Sequence, residues 1–122
     1  MFTVIVTGSR DLLDGNKVWD ELEELLPDFG PLFIRHGACP TGADRFASIW
    51  CNDFYGPNEG VFEIKHPANW DLHGKAAGPI RNREMVHAGA DLCLAFPLGE
   101  SRGTWNCVNE CKKAGIPVKV IK

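Results

Sequence analysis

An α/β fold, with a parallel sheet held between layers of helices, is what this sequence predicts. Three observations carry the prediction. Short β-branched and apolar runs alternate from end to end with segments of helical periodicity. Those runs are apolar on both faces, as strands covered on both sides must be. The length of 122 residues leaves room for one core, so the chain is read as a single domain, 1–122.

The elements follow in order. Phe2–Thr7 is apolar and β-branched and stops at Gly8, which reads as a buried strand. Lys17–Leu26 places Val18, Leu22, Leu25 and Leu26 on one helical face, with Pro27 expected to end the helix. Leu32–His36 is a second short strand, stopped by Gly37. Ala43–Phe54 has Ala43, Phe46, Ala47, Ile49, Trp50 and Phe54 at helical spacing, and Gly56-Pro57-Asn58 closes it. Val61–Lys65 is the third strand. Residues 66–78 carry no readable element, and a stretch of that length without structure is often functional. Pro79 suits the first turn of a helix running to about Ala88. Asp91–Phe96 is the fourth strand, Gly103–Ala114 a helix closed by Gly115, and Ile116–Ile121 the fifth strand. Right-handed crossovers then give a three-layer Rossmann-like sandwich on a five-stranded parallel sheet, in the order 3-2-1-4-5. Ligands in such folds bind beyond the carboxyl ends of the strands, where the chain reverses direction across the sheet.

Composition narrows the function. Lys and Arg number 13 against 16 Asp and Glu, a net charge of -3, which makes a nucleic-acid partner an unlikely one on electrostatic grounds. The apolar runs are too short for a membrane helix, and the first residues lack the basic lead and apolar core of a signal peptide. Five cysteines with no CxxC and no tight His/Cys grouping predict reduced thiols, a cytoplasmic setting and no metal site.

Three loops leave the carboxyl ends of strands 1, 2 and 4: Thr7-Gly8-Ser9-Arg10, Gly37-Ala38-Cys39-Pro40-Thr41-Gly42-Ala43-Asp44, and Gly99-Glu100-Ser101-Arg102-Gly103-Thr104. Each joins glycine to small hydroxyl residues, a chemistry suited to phosphate beside a helix N-terminus. For any one loop the plainer reading is turn chemistry, with Thr41 as an N-cap. GxGxxG is missing from the first loop, which disfavours a standard NAD-binding turn, and no GxxxxGK[ST] occurs, which excludes a P-loop NTPase on motif grounds. Lys75, Arg81 and Asn82 add polar groups in or beside the irregular stretch, and Arg81 in a helix's first turn opposes the dipole unless it faces an anion or a carboxylate. An exposed arginine in a surface ion pair is the alternative. Trp70 suits stacking on a base or burial against the sheet, and His36 reads as a satisfied core residue.

Five segments taken together resemble a known family. They are Val6-Thr7-Gly8-Ser9-Arg10, His36-Gly37-Ala38-Cys39-Pro40-Thr41-Gly42-Ala43-Asp44, Pro67-Ala68-Asn69-Trp70, Ala77-Gly78-Pro79-Ile80-Arg81-Asn82-Arg83-Glu84-Met85, and Ala95-Phe96-Pro97 with Arg102-Gly103-Thr104. In order and spacing they resemble the YspA-type, cpYpsA-related SLOG family, many of whose members come from bacteria and phages. The resemblance implies a Rossmann-like nucleotide-binding domain, in a superfamily with the Lonely Guy phosphoribohydrolases and the DprA single-strand-DNA binders. Arg81 resembles the Lonely Guy arginine ahead of a Glu-Met pair, and Gly103-Thr104 resembles the GT of PGGxGTxxE. The chain departs from that motif where Cys107 stands three beyond Thr104, in place of the glutamate, and Glu110 lies a turn later.

The leading expectation is therefore a domain that binds a nucleotide or nucleotide-derived ligand at the carboxyl edge of the sheet, as a sensor. Gly8, Ser9, Arg10, Gly99, Ser101, Arg102, Gly103 and Thr104 would hold phosphate, with Arg81 paired to it, and Thr41, Gly42 and Asp44 would shape the sugar or base side. Gly37, Lys75 and Asn82 complete the set, and no cofactor is expected beyond that ligand. One alternative is a phosphoribohydrolase-like enzyme acting on an N-glycosidic or phosphate bond, with Arg81, Asp44 and Glu84 as catalytic candidates. Another is a DprA-like single-strand nucleic-acid binder. A small cleft of this kind is expected to be completed in a homodimer or higher homo-oligomer, through the Pro79–Ala88 or Gly103–Ala114 helix.

Overall fold

The structure is a computed structural model describing residues 1–122. Its strands are β1 (Phe2–Gly8), β2 (Leu32–His36), β3 (Val61–Lys65), β4 (Leu92–Phe96) and β5 (Val118–Val120), and its helices α1 (Gly15–Phe29), α2 (Gly42–Ile49), α3 (Trp70–His73), α4 (Ala77–His87) and α5 (Arg102–Lys113). The sheet order is β3-β2-β1-β4-β5 and every pairing is parallel, as the sequence predicts. The register sets Val6 beside Leu94 and Gly8 beside Phe96, so β1 and β4 end level at the switch point.

The period-two alternation of β1 sorts the core into two layers. Val4 and Val6 pack with Leu32, Ile34, Leu94 and Phe96 against Val18 and Leu22 of α1 and Ala43, Ala47 and Trp50 of the α2 segment. Ile5 points the other way, with Cys93, against Met85 and Val86 of α4 and Cys107 and Cys111 of α5. Trp50 is fully buried, and its Nε1–H reaches Glu23 Oε1 at 2.9 Å, which satisfies the one polar atom its burial would strand. No helix is long and apolar enough to cross a membrane.

Several boundaries differ from those expected. Helix α1 starts earlier than Lys17 because the Asp14 side chain accepts from the Asn16 N–H at 3.1 Å and caps it. It also runs through Pro27 to Phe29. Proline there removes only one bond in the last turn, Gly30 N–H closes on Leu26 O at 3.0 Å, and Phe29 meets the ring of Phe2 at 4.5 Å. The segment after Ile49 winds on as a π-helical turn, Trp50–Phe54. Residues 66–78 are not without structure. Asn69 caps α3 through its side chain, a 3-10 turn spans Gly74–Ala76, and α4 begins at Ala77 rather than at Pro79. Strand β5 is shorter than expected, since Pro117 has no N–H to add to the ladder.

Candidate functional site

The loops after β1 and β2 are locked together before any ligand is considered. Ser9 N–H bonds Phe96 O at 3.0 Å, and Ala43 N–H bonds Ser9 O at 3.2 Å. Gly42 makes that contact possible. Its φ is +74°, and a Cβ there would run into the Ser9 carbonyl and the Arg10 backbone. Ser9 Oγ accepts from the Asp11 N–H at 3.0 Å, which turns the β1 loop back on itself and leaves Arg10 exposed.

The β2 loop is held by a polar chain that runs from the buried His36 out to the exposed Asn52. Ala38 N–H donates to His36 Nδ1 at 3.0 Å, so the ring proton lies on Nε2 and points at Glu63 Oε2, 2.6 Å away. Asn52 Nδ2 donates to the other Glu63 oxygen at 2.9 Å. Burial raises the Glu63 carboxyl, but the hydrogen bonds from Asn52, His36 and Ser48 outweigh it and hold the group below its ordinary range. His36 is thus a satisfied core residue, and its work is to hold Ala38 in a left-handed conformation, φ 58°.

Asp44 and Arg81 both approach Gly37 behind this loop. The Arg81 guanidinium donates through Nη1 to Gly37 O and, at 3.3 Å, to His66 O, and through Nε to Asn82 Oδ1 at 2.9 Å. Gly37 admits it, because a Cβ at that position would overlap the guanidinium. Asp44 is only 8% exposed, and its Oδ2 accepts from the Cys39 N–H at 3.2 Å. Burial pushes its carboxyl above the ordinary range; His36, the Cys39 N–H and Arg81 each pull it back without cancelling the rise.

Asn82, 4% exposed, ties this cluster to the third loop. Its Nδ2 donates to Gly103 O at 3.2 Å and to Asn106 Oδ1 at 2.9 Å. The first turn of α5 carries no acidic residue and no side-chain cap. The Ser101 and Thr104 hydroxyls bond each other at 2.6 Å instead, and Ser101 sits at φ 47°. Helix α4 also starts without a side-chain cap or an acidic residue. The start of α5 therefore faces an open space without a side-chain cap, whereas α4 runs straight on from the 3-10 turn: Ala77 N–H bonds Gly74 O, and Pro79 has no N–H to offer.

That space is a cleft of about 660 Å³ at the carboxyl end of β1 and β4. Of the residues singled out in sequence, Gly8, Ser9, Arg10, Gly37, Asp44, Arg81, Asn82, Gly99, Ser101, Arg102, Gly103 and Thr104 line it. Thr41 lines a second cavity of about 420 Å³ alongside, and makes no capping bond to α2. Gly42 lies underneath as the backbone contact described above. Lys75 and Glu84 are exposed and line neither cavity. Trp70, weighed in sequence for stacking on a base, also lines it, and the structure adds Gly78, Pro79, Leu98 and Asn106 to the cleft wall. Asn106 carried a signal, one helical turn beyond Gly103, which the sequence reading passed over.

The position resembling the Lonely Guy glutamate, Cys107, is fully buried with Cys93 and Cys111 in the apolar layer beneath α5, and offers no carboxylate to the cleft. All five cysteines are free, and no group of three or more His, Cys, Asp or Glu side chains has metal-holding geometry.

Comparison with known proteins places the chain. The "Gene 61 protein" of Mycobacterium phage D29 is 46% identical over 123 aligned residues, covering 97% of this chain and 94% of that protein. Among solved structures, the C-terminal domain of the PF1911 hydrogenase from Pyrococcus furiosus aligns over 99% of this chain and 92% of its own, with a TM-score of 0.49 and 14% identity. The family described as "YAcAr: YspA, cpYpsA-related SLOG family" matches residues 2–73, the span that carries β1, the interlocked loops and Trp70. The chain belongs to the YspA, cpYpsA-related SLOG family.

Proposed function

We propose that this domain binds a nucleotide or nucleotide-derived ligand in the cleft at the carboxyl edge of the sheet and acts as a sensor of it. One observation carries the reading: loops from three separate strands and the uncapped start of α5 border a single cleft. The first turn of α5, with Arg10 and Arg102 at the rim, suits phosphate. Arg81 is already committed to the carbonyls of Gly37 and His66, so it acts as a fixed positive charge in the wall. The family, whose superfamily handles nucleotides, points the same way.

Thermal shift and calorimetry with nucleoside mono- and diphosphates test the proposal. A ligand present at one hundred times its Kd stabilises the fold by about 2.7 kcal/mol, a shift of several degrees. No shift with any of them at millimolar concentration overturns the reading.

A second reading, a nucleotide hydrolase, is favoured by Asp44, a buried carboxyl with a raised pKa in the cleft wall and suited to donating a proton. Incubation with a nucleotide panel, followed by chromatography for released base or phosphate, separates the two. Turnover lost in Asp44→Asn supports the enzyme; no release by the wild type removes it.

A further inference from the structure

We infer that the cavity beside the main cleft is a second ring pocket, and that the site takes a dinucleotide, two nucleosides joined through phosphates. The inference rests on the nucleotide-binding reading and deepens it. The main cleft, at about 660 Å³, already falls within the roughly 300–1,000 Å³ that houses a whole small ligand, so one nucleotide does not need more room. The adjoining cavity of about 420 Å³ is therefore surplus to a mononucleotide.

The two spaces are continuous. Arg10, Gly37, Cys39, Trp70 and Arg81 line both. Their chemistry differs. Asp11, Asp44 and Glu100 line the main cleft, whereas no carboxylate lines the second cavity. Its walls include Pro40, Pro67, Ala68 and the Trp70 ring, rigid and flat surfaces suited to a planar ring. At the junction stand two guanidinium groups, which is where a ligand with a ring in each space must pass its anionic linker.

The partition is a single side-chain pair. The Arg10 guanidinium carbon lies 5.6 Å from the centre of the Trp70 ring, over its face. Arg10 is exposed and Trp70 is 49% exposed, so neither is held by the core. A linking phosphate offers Arg10 a stronger, charge-assisted partner than the indole face, and frees the ring to stack on the second base. The floor is fixed by contrast, since Ala38 is set by its bond to His36.

The test is calorimetry with ADP and NAD, which share adenosine and two phosphates. In NAD the second nucleoside closes the pyrophosphate and removes the extra charge of ADP's terminal phosphate, so tighter binding of NAD has to come from the second nucleoside. The titrations use the wild type and Ala68→Phe, which fills the second cavity without touching the main one. NAD is expected to bind at least about tenfold tighter than ADP, on the scale of one base stacked on an aromatic ring. Ala68→Phe should bring NAD down to the affinity of ADP and leave ADP unchanged. Pro40→Trp, at an exposed position of the same cavity, repeats the measurement should Ala68→Phe fail to fold. The inference is overturned if NAD binds no tighter than ADP, or if filling the cavity moves both ligands alike or neither. If neither ADP nor NAD binds, the inference is overturned, and the full panel of nucleoside mono- and diphosphates decides the nucleotide reading.

Discussion

Replacing Asn82 with alanine is expected to weaken the fold and the cleft together. The side chain is 4% exposed and makes three hydrogen bonds: it accepts from Arg81 Nε and donates to Gly103 O and Asn106 Oδ1. Each such bond contributes about 1 kcal/mol net, and more when its partner is left buried and unpaired. Gly103 is exposed and Asn106 and Arg81 are half-buried, so water reaches part of what alanine vacates. The expected loss is about 2–4 kcal/mol, a large share of the stability of a domain this size. Urea unfolding followed by far-UV circular dichroism should show an earlier midpoint with the slope unchanged. Asn106→Ala, which removes one of the three bonds, should cost about 1 kcal/mol or less. The reasoning fails if Asn82→Ala costs under about 0.5 kcal/mol, or no more than Asn106→Ala.

Further outcomes follow from the same geometry. Gly37→Ala places a methyl group into the Arg81 guanidinium; it should cost about 1–3 kcal/mol by overpacking, measured by urea unfolding, and weaken any ligand that meets Arg81. Asp44→Asn should be more stable than the wild type at neutral pH. Burial raises the folded-state pKa of Asp44, so its charged form opposes folding above that pKa, and the advantage of asparagine should shrink as pH falls through it towards 3.8. Equal stability across pH 3–8 would contradict this. His66 is held below its ordinary 6.5 first by burial, then by Arg35, His36 and Arg81. The unfolded chain therefore takes its proton first, and stability should fall as pH drops below 6.5, less steeply in His66→Gln. Thermal melts at half-unit pH steps read this, and parallel curves for the two proteins would refute it.

Strand order was legible because each strand is a short apolar run with a helical segment between it and the next, and parallel crossovers leave few arrangements. Convergence of the three glycine loops followed from that order alone. Local overrides were not legible. Pro27 reads as a stop, yet Phe29 gains enough against Phe2 to carry the helix past it. Helix α3 is a single turn with no periodicity to detect; only Asn69 marked its start. The roles of Arg81 and Asn82 depend on Gly37, His66, Gly103 and Asn106, partners distant in sequence, so the sequence showed two polar residues and not the bracket they form. The Arg10–Trp70 contact was hidden for the same reason, and Lys75, though near in sequence, lines neither cavity.

One wall of the cleft is welded to the sheet through the Ser9–Ala43 bond and the tight fit at Gly42, so almost any change there disturbs folding. On the facing side, Pro67, Ala68 and Trp70 belong to a segment, residues 67–75, that hangs outside both apolar layers, with Leu72 71% exposed. The His66 carbonyl on Arg81 fastens its base, and the Asn69 cap holds its own single turn. Such a segment behaves as an interchangeable cassette: transplanting it between relatives should re-tune ligand choice at nearly constant melting temperature, with the sheet as common chassis.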